Sequence, residues 1–346
     1  MRKTDQTSFM SKVSIALCTY NGAKFLDEQV DSFLEQTRLP DELIVCDDCS
    51  QDETVAKLEK FAATAPFPVK IFENESNLRS TKNFEKAITL CTGEIIFLSD
   101  QDDYWQPRKI ERILQEFQKN EAVGLVFSNA EISDDNLQPL GQDLWDFTFP
   151  AEKRVIAADK NLFDVLISQN AVTGATMAFR AAYRKNFTPI PDDIPNLIHD
   201  NWIALSIAGL AEAIFINENL IKYRQHSAQQ MGINFELSKS RNRSQRRARY
   251  ADSIKFCEYE IARLEHLKKL FPHFEQFSRY RESVDFEGLI KEKKGRIEHY
   301  ERRKNLPEAG LRRAIEIGRE IASGRYHLYS KGFLSAAKDL FEKWTI

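Results

Sequence analysis

The sequence predicts an α/β fold with a mainly parallel central sheet over residues 1–234, followed by a helical C-terminal region over 235–346. Three observations carry this. From residue 12 onward, short apolar β-rich runs alternate with segments whose apolar residues recur at three- and four-residue spacing. That alternation is the pattern of βαβ units, whose strands run parallel and bind ligands at their carboxyl ends. The last 110 or so residues are instead helical in pattern, with Ile254, Ile261, Leu264 and Leu267 marking an apolar face among basic and acidic stretches.

In chain order, KVSIALC (12–18) is the first expected strand, and Leu26, Val30, Phe33 and Leu34 mark the helix after it. ELIVCD (42–47) is the second strand, followed by a helix carrying Val55, Leu58 and Phe61, with Ser50 and Glu53 as its capping box. VKIFEN (69–74) is the third strand, and Phe84, Ala87, Ile88 and Cys91 trace the next helix. EIIFLS (94–99) is the fourth, Pro107 suits the first turn of a helix running to about residue 118, and AVGLVFS (122–128) is the fifth.

At 346 residues the chain is long enough for roughly two domains, and its 42% apolar and 29% charged residues are those of a globular protein. MRKTDQTSFMSK has no apolar leader core, and the longest apolar run, WIALSIAGLA (202–211), falls well short of the ~20 residues that span a bilayer. No export signal or transmembrane helix is expected, and the five cysteines, at 18, 46, 49, 91 and 257, fit reduced thiols in a cytoplasm. Cys46 and Cys49 form a C-x-x-C, but no second pair completes a zinc site. The net charge of −3 hides an asymmetry: residues 235–346 carry 26 Lys and Arg against 17 Asp and Glu, residues 1–234 carry 23 against 35. An acidic part of about −12 and a basic part of about +9 suggest a catalytic half and a half facing an anionic partner. The densest basic run, RNRSQRRARY (241–250), suits anionic headgroups or a diphosphate-linked acceptor; no nucleic-acid module accompanies it, so nucleic acid is not expected.

The informative strand ends are TYNG (19–22) after the first strand, Asp47 and Asp48 after the second, and Asp100, Asp102 and Asp103 after the fourth. They are expected to converge on one crevice. With Ser50 as the cap, Asp47 and Asp48 are free for other work, and a cap at Pro107 uses only one of the three later carboxylates. Carboxylates aimed at one spot raise one another's pKa unless a cation is bound, and hard oxygen ligands suit Mg²⁺ or Mn²⁺ shared with substrate phosphates.

SIALCTYNG, IVCDDCSQDET and FLSDQDDYW, in this order and spacing, resemble the nucleotide-sugar half of family 2 glycosyltransferases with the GT-A fold. VTGATMAFR (172–180), HDNW (199–202) and YRQHSAQQMG (223–232) resemble the acceptor half, particularly of the bacterial rhamnosyltransferase-like branch. The resemblance covers about residues 12–232 and divides the catalytic part into a nucleotide-sugar half, 12–128, and an acceptor half, 129–234. It implies that Thr19, Asn21, Glu28 and Asp47 hold the base and ribose of a nucleoside diphosphate, with Asp48 supporting them. Asp100 and Asp102 become the D-x-D pair, Asp100 toward the ribose or a metal-bound water and Asp102 on the divalent ion. Asp103 is implied to position the sugar or brace the loop. Asp200, preceded by His199 where many members have Glu, is the implied general base for an acceptor hydroxyl. Arg224 and His226 match the family's lid motif, at the diphosphate or metal. Cys49 and Arg79 stand where relatives commonly have Gly, so different loop conformations and a donor contact from Arg79 are expected.

The implied activity is metal-dependent transfer, with inversion, from a nucleoside-diphosphate sugar to a saccharide or lipid-linked saccharide, in cell-surface polysaccharide synthesis. A catalytically silent scaffold that keeps the fold is the alternative, and retention of Asp102 and Asp200 argues against it. Neither a Gly-rich phosphate loop after the first strand nor G-x-G-x-x-G is present, which excludes a sugar-nucleotide synthase or dehydrogenase reading. In the tail, Tyr326, Tyr329, Phe333, Ala337, Leu340, Phe341 and Trp344 recur at helical spacing among Arg325, Lys331, Lys338 and Lys343. Packing on the catalytic domain or a homo-oligomer contact is favoured there over an interfacial helix on an anionic membrane.

Overall fold

The computed structural model describes residues 11–159, 162–194, 197–226, 229, 246–270, 284–307 and 310–341. The chain divides into two compact units. One comprises residues 1–192, 197–233 and 276–282; the other comprises 193–196, 234–275 and 283–346.

The first unit is built on a nine-stranded sheet: β1 (Val13–Thr19), β2 (Glu42–Asp47), β3 (Val69–Glu73), β4 (Ile95–Ser99), β5 (Tyr104–Trp105), β6 (Val123–Ser133), β7 (Pro139–Asp143), β8 (Met177–Arg180) and β9 (Glu212–Arg224). Its order is β3-β2-β1-β4-β8-β6-β9-β5, with β7 paired to β6. β1, β2, β3 and β4 are parallel, and only β8, β5 and β7 run antiparallel to their neighbours. The runs in β1, β2 and β4 are apolar because both faces of those strands are covered. Edge strand β3 has only partly or fully exposed positions.

Helices α1 (Leu26–Leu34), α2 (Thr54–Ala62), α3 (Arg79–Leu90) and α4 (Lys109–Lys119) follow the strands at the expected places. α5 (His199–Ala208) is buried along its whole length. Leu17, Val30, Phe33, Val45, Phe97, Trp105, Ile113, Val126 and Tyr223 share one core cluster. Because the chain leaves β1 toward β2 and β3 on one side and returns as β4 on the other, the carboxyl ends of β1 and β4 flank a switch point, where open α/β sheets leave a crevice.

The second unit is helical: α6 (Arg246–Leu270), α7 (Phe286–Lys304), α8 (Leu311–Ala322), α9 (Arg325–Tyr329) and α10 (Phe333–Phe341). α6 and α7 pair, with Lys293 Nζ on Glu260 at 2.8 Å in the buried seam. Asp285 caps α7 by accepting the Gly288 N–H. The tail is not one helix: Gly332 at φ +56° separates α9 from α10, so the expected aromatic stripe is split. Tyr326 is fully buried while Phe333 and Phe341 are exposed; Lys343 and Trp344 lie outside the described residues, as do Arg241 to Ser244.

Candidate active site

Two loops at the ends of β1 and β2 are held by Asp47. Register sets Thr19 opposite Asp47, and the Thr19 Oγ1 donates to Asp47 Oδ2 at 2.7 Å. Asp47 also accepts from the Ser50 N–H (2.8 Å) and Ser50 hydroxyl (2.6 Å). Ser50 therefore does not cap α2, as the capping-box reading required; Asp52 accepts the Thr54 N–H instead. Asn21, at φ +48°, takes the Gln51 N–H on its side-chain oxygen at 2.8 Å. Asp48 is not free either: it accepts the N–H groups of Leu78 (2.7 Å) and Arg79 (2.8 Å) and the Asn74 amide (2.8 Å). It supplies the caps that α3 lacks from its own residues, a supporting role. Arg79 joins this group through its backbone, and its side chain is exposed. Cys49 and Arg79 both take left-handed φ, +68° and +64°, the conformation that glycine adopts without strain; in this respect the loops keep a glycine-like backbone.

The loop after β4 is clasped to the one after β1 by Gln101, which accepts the Tyr20 N–H at 2.8 Å and donates to its carbonyl at 3.0 Å. A Cβ on Gly22 would meet this side chain at 2.1 Å, so the clasp needs glycine there. β5 then pairs Tyr104 and Trp105 with Lys222 and Ile221 of β9, which carries the acidic loop to the end of β9. No side chain from Asp100, Asp102 or Asp103 caps α4.

Arg224 and His226 meet that loop. The Arg224 N–H donates to Asp103 Oδ1 (3.1 Å), its Nε to the Asp102 carbonyl (2.7 Å), its Nη1 to the Asp135 carbonyl, and its Nη2 to Glu28 Oε2 (2.7 Å). Its guanidinium is fully buried and also lies 4.4 Å from the Phe25 ring. Arg224, expected at the diphosphate, here braces the acidic loop, and Glu28, expected at the ribose, is the half-exposed partner of that brace. His226 Nε2 stands 2.9 Å from Asp102 Oδ2, with its ring 4.6 Å from Phe25.

Asp200 lies in the first turn of α5, and α5 takes no side-chain cap, so it is not an N-cap. Its carboxylate accepts from the Gly174 N–H (3.1 Å), the Asn170 amide (3.3 Å) and the Asn201 N–H (2.5 Å). Burial nevertheless pushes its pKa up to about 6. Burial, with Asp102 and Asp200 adding negative charge, pushes Asp100 up to about 7. Asp103 is raised well above the usual range by burial and by Asp102 and Asp100. The phenol of Tyr223 is raised by burial and by Asp103, Asp100, Asp102 and Asp200 together. The charge of Asp200, in the first turn of α5, thus reaches Asp100 and Tyr223 together with that of the acidic loop after β4.

The offsetting cation is Lys109, which sequence reasoning missed. It is fully buried, and its Nζ donates to the Ala175 carbonyl and lies 3.6 Å from the Trp105 ring centroid; burial lowers its pKa well below the ordinary lysine value, and Asp103 and Asp100 act against that to favour the charged form. A signal was present: Ile113 and Phe117 follow at four-residue steps, so Lys109 lies on the apolar stripe of α4. A charge on such a stripe needs a buried partner.

Among the described residues, no group of three or more His, Cys, Asp or Glu side chains is gathered around a metal position. The donors that do face one another are Asp102 Oδ2 and His226 Nε2, and Asp103 Oδ2 and His226 Nδ1 are buried without a hydrogen-bond partner. A divalent ion that keeps most of its coordination for phosphate oxygens and water fits such a two-donor set.

A model of the glycosyl transferase family 2 matches residues 14–187. An uncharacterized glycosyltransferase of Nostoc is 27% identical over 63% of this chain and 66% of its own length. A chondroitin synthase of Escherichia coli is 34% identical over 34% of this chain and 17% of that protein. The matches thus span less than two thirds of those relatives. Among solved structures, a mannosyltransferase from Pyrobaculum calidifontis, in complex with GDP-Man and Mn²⁺, superposes over 95% of this chain and 81% of its own with a TM-score of 0.51 and 16% identity. That likeness shows the GT-A fold.

Proposed function

This chain belongs to glycosyl transferase family 2, and on that premise we propose that it moves a sugar from a nucleoside diphosphate to a hydroxyl of a saccharide or lipid-linked saccharide, with inversion. The observation that carries the reading is the grouping of Asp100, Asp102 and Asp103 in the loop after β4, within electrostatic reach of Asp200 in the first turn of α5, with the buried Lys109 acting on Asp100 and Asp103. Thr19, Asn21, Asp47 and Asp48, with Arg79 beside them, line the nucleotide side. Asp102 and His226 would hold Mg²⁺ or Mn²⁺, which when bound would supply positive charge to a leaving diphosphate.

Asp200 takes the proton. With its pKa near 6 it is ionised at neutral pH yet basic enough to accept a hydroxyl proton as the oxygen attacks the anomeric carbon. One bond forms from acceptor oxygen to anomeric carbon, the bond to the diphosphate oxygen breaks, and inversion follows from attack opposite the leaving group. Asp100 and Asp103 flank the donor sugar, held in place by Lys109 and by the Arg224 brace. A mannosyltransferase neighbour bound to GDP-Man and Mn²⁺ supports the donor and metal classes, and the chondroitin synthase relative supports a role in polysaccharide synthesis. No described helix is long and apolar enough to cross a membrane. The reading assigns work in the cytoplasm, where nucleotide sugars are made.

Thermal unfolding with UDP-, dTDP- and GDP-sugars tests this. At about 100 times Kd a ligand adds about 2.7 kcal/mol to the folded state. One donor class is expected to raise the melting temperature with Mn²⁺ and to lose that effect in EDTA; no response to any of the three would refute the donor assignment.

A further inference from the structure

Helix α10 is turned inside out. Its one acidic residue, Asp339, is fully buried and holds Arg303 through two bonds (2.6 and 3.0 Å) and the Tyr326 hydroxyl (2.6 Å), while its carbonyl accepts from Arg313 Nε (2.7 Å). Ala336 faces inward with it. At 100° per residue this sends Phe333, Leu334, Ala337, Leu340 and Phe341 outward together. Phe333 is 65% exposed, Leu334 76% and Phe341 80%. The helix is locked to its unit by a buried polar cluster, so the outward apolar residues are not what holds it in place.

Over residues 321–341 every Lys, Arg, Asp and Glu but the buried Asp339 is basic, and Glu342 and Lys343, which follow in the sequence, add one charge of each sign. Asp339 is the only Asp or Glu between residues 321 and 341, and it is buried. The exposed charges on α10 and in the turn before it are Lys331 and Lys338; Lys338 sits at the margin of the apolar arc, and Lys331 in the turn that leads into the helix. A contact between two copies through the same patch would set these lysines against themselves. A surface carrying negative charge above an apolar layer answers both features.

We propose that the outward face of α10, with Lys331 and Lys338, docks on an anionic lipid bilayer, its aromatic and aliphatic side chains entering the headgroup boundary. This stands independently of the donor and acceptor assignments.

Vesicle flotation of the full chain tests it, with phosphatidylcholine alone and phosphatidylcholine mixed with phosphatidylglycerol. The chain is expected to float only with the anionic vesicles and to be released by high salt. Phe333→Ser with Phe341→Ser abolishes flotation, and Lys331→Gln with Lys338→Gln weakens it by about fivefold for each lysine removed. Both double variants melt with the wild type, because all four positions are exposed. Flotation unchanged in the double variants would assign binding to another segment and overturn the proposal. So would wild-type protein that stays at the bottom of the gradient, or light scattering that reports a dimer lost on Phe333→Ser with Phe341→Ser.

Discussion

Asp200→Asn separates the chemistry of the site from its stability. In the folded chain burial holds the Asp200 carboxyl near pKa 6, against 3.8 for an ordinary one. The unfolded chain therefore gives up its proton at lower pH, and stability falls as pH rises from about 4 to about 6 and stays lowered above that. The difference corresponds to about 3 kcal/mol at neutral pH. Removing Asp200 also removes one of the charges that raise Asp100, an effect of the same sign. Against this, the amide nitrogen of Asn would face one of the N–H groups of Gly174 and Asn201 that the carboxylate accepts, at a cost of about 1–3 kcal/mol. That cost does not vary with pH. Urea unfolding followed by the fluorescence of buried Trp105, Trp145 and Trp202 reports on the sheet unit. The stability of Asp200→Asn relative to wild type is expected to improve by about 3 kcal/mol between about pH 4 and pH 8, while transfer drops by about 100- to 10,000-fold. Wild-type transfer falls as pH drops through about 6, as the base is protonated. A stability difference that does not change with pH would refute the raised pKa, and full turnover by the variant would refute the general base.

Two further substitutions probe the charges behind the site. Lys109→Met leaves Asp100 and Asp103 without their buried cation; a loss of about 3–5 kcal/mol is expected at about pH 8, shrinking at about pH 5 as the carboxyls protonate, measured by urea unfolding. Arg224→Lys keeps the charge but not the planar fork that reaches Asp102, Asp135 and Glu28, so stability is expected to fall by about 2–3 kcal/mol and calorimetry to show weaker donor binding.

The sheet was legible because its signals are local: each strand's apolar run and each helix's spacing can be read without knowing what packs against it. Parallel topology alone put Thr19 and Asp47 at adjacent strand ends, where their side chains meet. Roles within the site depended on partners far away in sequence. Arg224 reads as a free cation until Glu28, 196 residues earlier, is found beside it. Asp48 reads as spare because the N–H groups it caps belong to α3, about 30 residues on. Ser50 misled through a true short-range pattern that Asp47 overrides with two bonds. The tail misled because periodicity gives a face but not its direction, and the buried Asp339 decides which way α10 turns.

The central claim, metal-dependent donor chemistry at Asp102, is tested most directly by nucleoside diphosphate release from the responding nucleotide sugar in Mn²⁺ and in EDTA, for wild type and Asp102→Asn. Asp102 faces His226 at 2.9 Å and makes none of the buried structural bonds of Asp47 or Asp48, so the variant is expected to keep its fold. The account predicts release by wild type in Mn²⁺ only, and none above background from Asp102→Asn in either condition. Equal release in EDTA, or release by Asp102→Asn at the wild-type rate, would contradict it.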